Sequence, residues 1–373
     1  MSMHVAQVNF LPAPADLPPE ALLARWSTLG DVADAVASAG TRVSVVQVAP
    51  YQHRMTRGAV DYHFVPATAD DSGRRVATVL GDLGVDVLHA NGLGFARQAH
   101  EVSRHRPDLP IVFQDHADRA PPWWRRAQWR RWYTVAAGVS FTAPELARPF
   151  TDAKLFGPRT LQFSIPESSS LFNPGSREAA RVETRMHGDP CLLWIGHLVP
   201  GKDPLAMLEG VAQASERLPD LHVWCVFGTS PLLEQIQRRI ASDPRLSGRV
   251  HLMGSMPHAR IERLLQAADI FVSASHRESS GYALLEAMAC GTIPVVTDIP
   301  SFRTITAHGA VGRLWPVGDP ARLADSLVAV PTGAPARRAV RALFEEELSP
   351  AMLGHRWTNA YAQVIEASRV GTS

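Results

Sequence analysis

The chain has 373 residues, 46% hydrophobic and 20% charged, with a net charge of +1 from 37 basic and 36 acidic side chains. The length suits about two domains of ~150 residues, the composition suits globular domains with sizeable cores, and the balanced charge offers no footprint for a nucleic-acid partner. No apolar run reaches the ~18 residues of a membrane span, no charged-then-apolar leader opens the chain, and Cys191, Cys225 and Cys290 are too scattered for a disulfide framework or zinc knuckle, so a reducing, cytoplasmic setting is expected.

Val5-Ala-Gln-Val-Asn9 is a short apolar opener, followed by a proline-rich loop from Leu11 to Pro19. An amphipathic pattern predicts one helix over about Glu20–Ser38, capped by Gly40, and Val43–Val48 is a strand. Further apolar runs at Val85–His89, Ile111–Phe113 and Val135–Ser140 are separated by helical segments. Strands spaced by helices point to a parallel α/β sheet. From about Ser164 to Pro190 the texture becomes linker-like, with Pro166, three serines and Asn173-Pro-Gly. The alternation then restarts with Cys191–Ile195, Leu221–Phe227, Val250–Met253, Ile270–Ser273 and Ile293–Val296, and a helical pattern runs from about Pro350 to Arg369. Two tandem α/β domains are the simplest organisation: 1–168, a linker at 169–190, and 191–351.

Chemistry concentrates in two loops that follow strands. Gly196-His-Leu-Val-Pro-Gly-Lys202 precedes a helix from about Pro204 to Arg217. Backbone amides in such a turn, with the positive end of the helix, attract an anion. Lys202 adds a mobile charge, and only it and Lys154 are lysines among the 37 basic residues. The loop is not a P-loop, and a surface lysine in an ordinary turn remains an alternative.

The second loop is Glu278-Ser-Ser-Gly-Tyr-Ala-Leu-Leu-Glu286, leading into a helix that ends before Gly291. The first amides of that helix, at Gly281, Tyr282 and Ala283, face the ligand-binding edge of an open parallel sheet. Glu286 interrupts a run of Ala, Leu and Met that otherwise reads as buried, where an unpartnered charge costs several kcal/mol. Taken alone, Glu278 also fits an acid favoured by the helix dipole, and Glu286 a carboxylate paired with an arginine. The two loops together favour a nucleotide-diphosphate site.

Glu278 and Glu286 form E-x7-E, followed by Ala287-Met-Ala-Cys-Gly-Thr-Ile-Pro-Val-Val296, downstream of a Gly-x-Leu-x-x-x-Lys loop. This pattern resembles retaining glycosyltransferases of the GT-B fold, family 4 type. Phe163–Pro166 with Phe172-Asn-Pro resembles their interdomain linker, Val250–Pro257 their base-binding strand and turn, and Ala310–Pro320 a late strand and turn. The resemblance covers the C-terminal half well and the N-terminal half loosely.

The resemblance implies an α/β chain of two Rossmann-like domains facing across a cleft, with the helix at about 352–373 packing back on the first. It implies hexosyl transfer from a nucleotide-sugar donor, of UDP or GDP type, to an unidentified acceptor hydroxyl. Glu278 would contact the donor sugar. Lys202, His197, Ser280, Gly281, Tyr282 and Ala283 would hold diphosphate and sugar, Glu286 the ribose, and Gly228, Met256 and Pro257 the base. His116, ending the strand at Phe113-Gln-Asp, matches a histidine near the reaction centre. His197 stands where the family usually has arginine. The first loop lacks the family's paired glycines. There is no D-x-D, so no metal or other cofactor is expected. A nucleotide-sugar epimerase, a sugar phosphorylase and a non-catalytic sugar-nucleotide binder share the architecture and remain alternatives. The segment Trp123–Tyr133 does not separate its Trp and Arg into faces, so packing plus an acceptor-side or phosphate-binding edge is preferred over contact with a lipid surface.

Overall fold

The computed structural model describes residues 3–26, 28–68 and 70–370. The chain divides into two compact units. One comprises the residues up to Ser169 together with those from Pro350, and the other is Ser170–Ser349.

In the first unit, β1 (His4–Asn9) leads through α1 (Pro19–Arg25) and α2 (Thr28–Ser38) to β2 (Arg42–Ala49), β3 (His53–Arg57) and β4 (Val60–Pro66). Then come α3 (Ser72–Leu83), β5 (Val87–Ala90), α4 (Ala96–His105), β6 (Ile111–Gln114), α5 (Arg126–Tyr133), β7 (Ala136–Phe141), α6 (Pro144–Asp152) and β8 (Leu161–Ser164). Among the described residues the sheet has eight strands in the order β3-β4-β2-β1-β5-β6-β7-β8. Every residue of β1 is buried, as expected of a parallel strand covered on both faces. The region expected as one helix over 20–38 is two. Trp26 leaves helical geometry at φ −113°, ψ 60° and ends α1. The antiparallel hairpin β3–β4 was not anticipated. β3 reads His-Arg-Met-Thr-Arg and is mostly exposed, an edge strand whose charges discourage further pairing.

The second unit begins with α7 (Arg177–Thr184), capped by Ser176, whose hydroxyl accepts from Ala179 N at 3.3 Å. It continues β9 (Cys191–Gly196), α8 (Pro204–Ser215), β10 (His222–Phe227), α9 (Leu233–Ser242), β11 (Val250–Gly254), α10 (His258–Ala267), β12 (Ile270–Ser273) and α11 (Tyr282–Ala289). β13 (Ile293–Thr297), α12 (Pro300–Ile305), β14 (Arg313–Trp315), α13 (Pro320–Ala329) and α14 (Ala334–Leu343) complete it. The strand order is β11-β10-β9-β12-β13-β14, and every pairing is parallel. The chain builds outward from β9 to β11, then returns to lay β12 on the other side of β9. The crevice beyond the C-terminal ends of β9 and β12 is thus the topological switch point, where open α/β sheets bind ligands.

α15 (Pro350–Val370) belongs to the first unit and packs on α2. Its Leu353, Trp357, Tyr361 and Val364 share a core with Val5, Val36 and Val45. Residues 371–373, within the expected helix 352–373, lie outside the described residues.

Candidate functional site

The loops after β9 and β12 meet at the switch point of the second unit. They enclose a cavity of about 370 Å³. Nine of the residues singled out from the sequence line it: His197, Lys202, Gly228, Met256, Glu278, Gly281, Tyr282, Ala283 and Glu286. Ser280 is buried beside it without lining it, and Pro257 caps α10 just outside. His116 lies in the first unit, after β6.

Lys202 and Glu278 are joined, Nζ donating to the carboxylate Oε1. Both are largely withdrawn from solvent, with side chains 29% and 16% exposed. Two contacts hold their loops together. His276 N donates to Gly201 O at 2.9 Å, and His276 Nε2 lies 2.8 Å from Asp203 Oδ2. Asp203 also caps α8, accepting from Ala206 N at 3.2 Å. The clamp was not read from the sequence, where 203 and 276 carry no joint pattern.

α11 starts at Gly281, which adopts φ +71°. A Cβ there would meet the Phe302 ring at 2.6 Å, so both backbone and space require glycine. The helix's own hydrogen bonds begin with Leu284 N to Gly281 O, at 2.9 Å. The amides before it lie outside that ladder, at the positive end of the helix.

Glu286 sits one turn further on, among buried Leu284, Leu285, Ala287 and Met288. Its carboxylate is 16% exposed on the cavity wall, and Oε1 accepts from His258 Nε2 at 2.6 Å. The charge therefore has a partner, and that partner is a histidine, not an arginine. His258 is itself exposed and stacks near Phe172, with ring centroids 4.9 Å apart. On the other wall, Thr229 N donates to His197 Nδ1 at 3.1 Å. The ring proton must then be on Nε2, which makes His197 a neutral donor where an arginine would bring a charge.

In the first unit His116 has both ring nitrogens engaged by acceptors. Nε2 lies 2.5 Å from Asn91 Oδ1, and Nδ1 meets the Glu167 carboxylate. Burial opposes its charge, but the Glu167 hydrogen bond and carboxylate outweigh that and hold it above the ordinary histidine range. Two acceptors require two N–H donors, so the ring is an imidazolium. Nearby, burial pushes the Asp115 carboxyl up to about 6. The segment 123–133 divides: Trp129, Trp132 and Tyr133 pack into the first unit's core, while Trp123 and Trp124 are 75% and 67% exposed. Among the described residues, no helix is long and apolar enough to cross a membrane.

Residues 176–341 match the family model described as "Glycosyl transferases group 1". A D-inositol 3-phosphate glycosyltransferase of Frankia alni is 36% identical over 165 residues, covering 42% of this chain and 40% of that protein. The chain spans about half the length, or less, of the first curated relatives it matches. Among solved structures, a glycosyltransferase from Rickettsia africae superposes with a TM-score of 0.74 at 13% identity, covering 98% of this chain and 99% of that one. An Anabaena protein, HepE, in complex with UDP and glucose, gives 0.70 at 15% identity over 97% and 100%. The fold is therefore that of the GT-B glycosyltransferases, two parallel-sheet Rossmann-like domains.

Proposed function

We propose that this chain is a retaining glycosyltransferase of the family 4 type, moving a hexosyl group from a nucleotide-diphosphate sugar to an acceptor hydroxyl. One observation carries the reading. A cation, two carboxylates and the amino end of a helix line a single cavity at the switch point of the second sheet. The group 1 glycosyltransferase match over residues 176–341 lies on the same unit.

In this reading residues 191–351 bind the donor and residues 1–168 serve the acceptor. Lys202, the amides opening α11 and His197 Nε2–H face the diphosphate. Negative charge grows there as the anomeric C–O bond breaks, so catalysis is largely electrostatic. Glu278 accepts from hydroxyls of the transferred sugar, whose positive character its carboxylate favours. Glu286 takes the ribose diol, and Gly228, Met256 and Pro257 border the base. His116, whose two N–H groups are taken by Asn91 and Glu167, serves through its positive charge. The acceptor oxygen bonds to the anomeric carbon on the face the diphosphate leaves and gives its proton to the departing diphosphate oxygen, which gives retention.

A UDP sugar is the first donor to test, supported by HepE's complex with UDP and glucose, and a GDP sugar the second. An inositol-type polyol is the first acceptor, after the Frankia relative. No metal is proposed for this chemistry, because the sequence carries no D-x-D. A cytoplasmic setting is proposed, in keeping with three free, buried cysteines.

The test is a thermal-shift screen of UDP-, GDP-, ADP- and dTDP-sugars, followed by product analysis. A donor at 100 times its dissociation constant adds ~2.7 kcal/mol to stability. The expected result is one preferred nucleotide, a shift lost in Lys202→Ala, and an α-linked product from an α-linked donor that persists in EDTA. An inverted product, or turnover abolished by EDTA and restored only by Mg²⁺ or Mn²⁺, overturns the mechanism. Product formed without acceptor, or only with phosphate, assigns an epimerase or a phosphorylase instead.

A further inference from the structure

Three histidines gather at the end of the second sheet remote from the cavity. His222 opens β10, His251 is the second residue of β11, and His187 lies between α7 and β9. One ring nitrogen from each falls within 4.8 Å of the other two. β10 runs from His222 to Phe227, and Phe227 lines the cavity, so the two places are separated by about five residues, roughly 17 Å of strand.

Several contacts build this cluster. Gly188 has φ +129°, and a Cβ there would stand 2.9 Å from the Cβ of His222, so glycine lets the 187 segment lie against β10. Trp224 Nε1 donates to His187 O at 3.1 Å, and its ring stacks on His251 at 3.9 Å and 15°. One tryptophan thereby positions two of the histidines. His187 Nδ1 lies 3.2 Å from Arg185 O and donates to it, which leaves the lone pair on Nε2. A metal-ligating histidine is oriented in this way, one nitrogen donating to a carbonyl while the other binds. His222 Nδ1 and His251 Nε2 are 3.0 Å apart.

We propose that His187, His222 and His251 bind one transition-metal dication of the Zn²⁺ class, through three imidazole nitrogens with solvent in the fourth position. Ligands at 2.0–2.1 Å from a tetrahedral ion stand about 3.4 Å apart. His187 is exposed and can close the remaining gap by side-chain rotation. The bound ion ties the segment after α7 to β10 and β11. It touches nothing in the donor cavity, and the inference is independent of the reading proposed for that cavity.

The test is titration of the untagged, chelator-treated chain with Zn²⁺ by calorimetry and with Co²⁺ by visible absorption. The expected result is one equivalent bound at micromolar affinity or tighter, a four-coordinate Co²⁺ spectrum, and a raised Tm. Affinity falls at least ~10-fold in His187→Ala, whose exposed site leaves folding intact by circular dichroism, and also in His251→Gln. His276→Ala, remote from the cluster, leaves it unchanged. Absence of saturable one-to-one binding, or wild-type affinity in His187→Ala, overturns the proposal. Nucleotide-sugar binding by the metal-free chain is expected to equal that of the loaded chain, and this is measured separately.

Discussion

Lys202 and Glu278 share a hydrogen-bonded ion pair on the wall of the cavity, from loops that follow two adjacent strands, β9 and β12. The pair neutralises the carboxylate beside a proposed diphosphate site and pre-positions the ammonium. Lys202→Ala removes the cation and strands the acid. Glu278→Gln keeps the shape but removes the charge. Each is expected to lower kcat by about 10²–10³-fold, the scale for loss of one transition-state electrostatic contact. Both side chains are largely withdrawn from solvent, so stranding the acid in Lys202→Ala should lower Tm, and the isosteric Glu278→Gln should move it less. Steady-state kinetics with circular dichroism check this, and near-wild-type kcat in both removes the site assignment.

Glu286 is expected to act on binding rather than on the chemical step. It is paired with His258 on the cavity wall, one helical turn from the amides opening α11. A ribose diol would replace His258 as its hydrogen-bonding partner. Hydrogen bonds to a charged group contribute about 1.5–3 kcal/mol, so Glu286→Ala should raise the donor KM by about 10–150-fold with kcat nearly unchanged. His258→Ala, which removes only the exposed partner, should lower that KM or leave it alone. A loss confined to kcat in Glu286→Ala contradicts a ribose role.

The His276–Asp203 clamp joins the two loops that carry Glu278 and Lys202. His276→Ala leaves the Gly201 contact, which is made by backbone, and deletes the imidazole. The expected loss in kcat/KM is about 10-fold, with partial recovery in His276→Gln, which can still donate. An exposed histidine of no consequence would show neither the loss nor the recovery.

Parallel strands deliver their C-terminal ends to one edge, so a sequence that marks strand ends also marks the loops that meet there. That is why Lys202, Glu278 and Glu286 were legible as candidates before any geometry. Their partners were not. Lys202 meets Glu278, and His276 meets Asp203, only because β12 returns to lie beside β9, and strand order leaves no trace in chain order. His258 opens α10 as a lone polar residue with no spacing to flag it. β3 escaped notice because His-Arg-Met-Thr-Arg has no apolar alternation. α7 was hidden for a related reason, since much of its attachment is polar.

That attachment centres on Asp269, which is 3% exposed. Its carboxylate meets Arg177 at 2.6 Å and Arg181 at 2.7 Å, and accepts from Cys191 N at 2.8 Å. It therefore ties α7 to the first strand of the second sheet. Asp269→Ala leaves two guanidiniums and a buried amide without their acceptor. The expected destabilisation of the second unit is about 3–5 kcal/mol. Asp269→Asn, which preserves an oxygen for Cys191 N, should cost less. Urea unfolding of the two variants measures the difference, and equal losses would show that the ion pairs with Arg177 and Arg181 matter and the amide contact does not.

His89 makes the first unit sensitive to acid. It is 1% exposed, its Nδ1 lies 2.7 Å from the Tyr361 hydroxyl, and its ring sits 4.3 Å from that of Trp357 on α15. Burial, with a smaller contribution from the charge on His116, holds it down at about 3. A histidine depressed in the folded state stays neutral while the unfolded chain takes up a proton below ~6.5. The contribution is therefore fully present above ~6.5 and is lost as pH falls toward 3, at up to ~1.4 kcal/mol per pH unit. His89→Gln retains a polar partner for Tyr361 but cannot titrate. At pH 7 the wild type should be the more stable of the two. Between pH 6.5 and 5 that advantage should shrink by about 2 kcal/mol, because only the wild-type unfolded state gains the proton. Chemical denaturation of both proteins across this range reads the gap directly, and a gap independent of pH would mean that His89 is already protonated in the folded core.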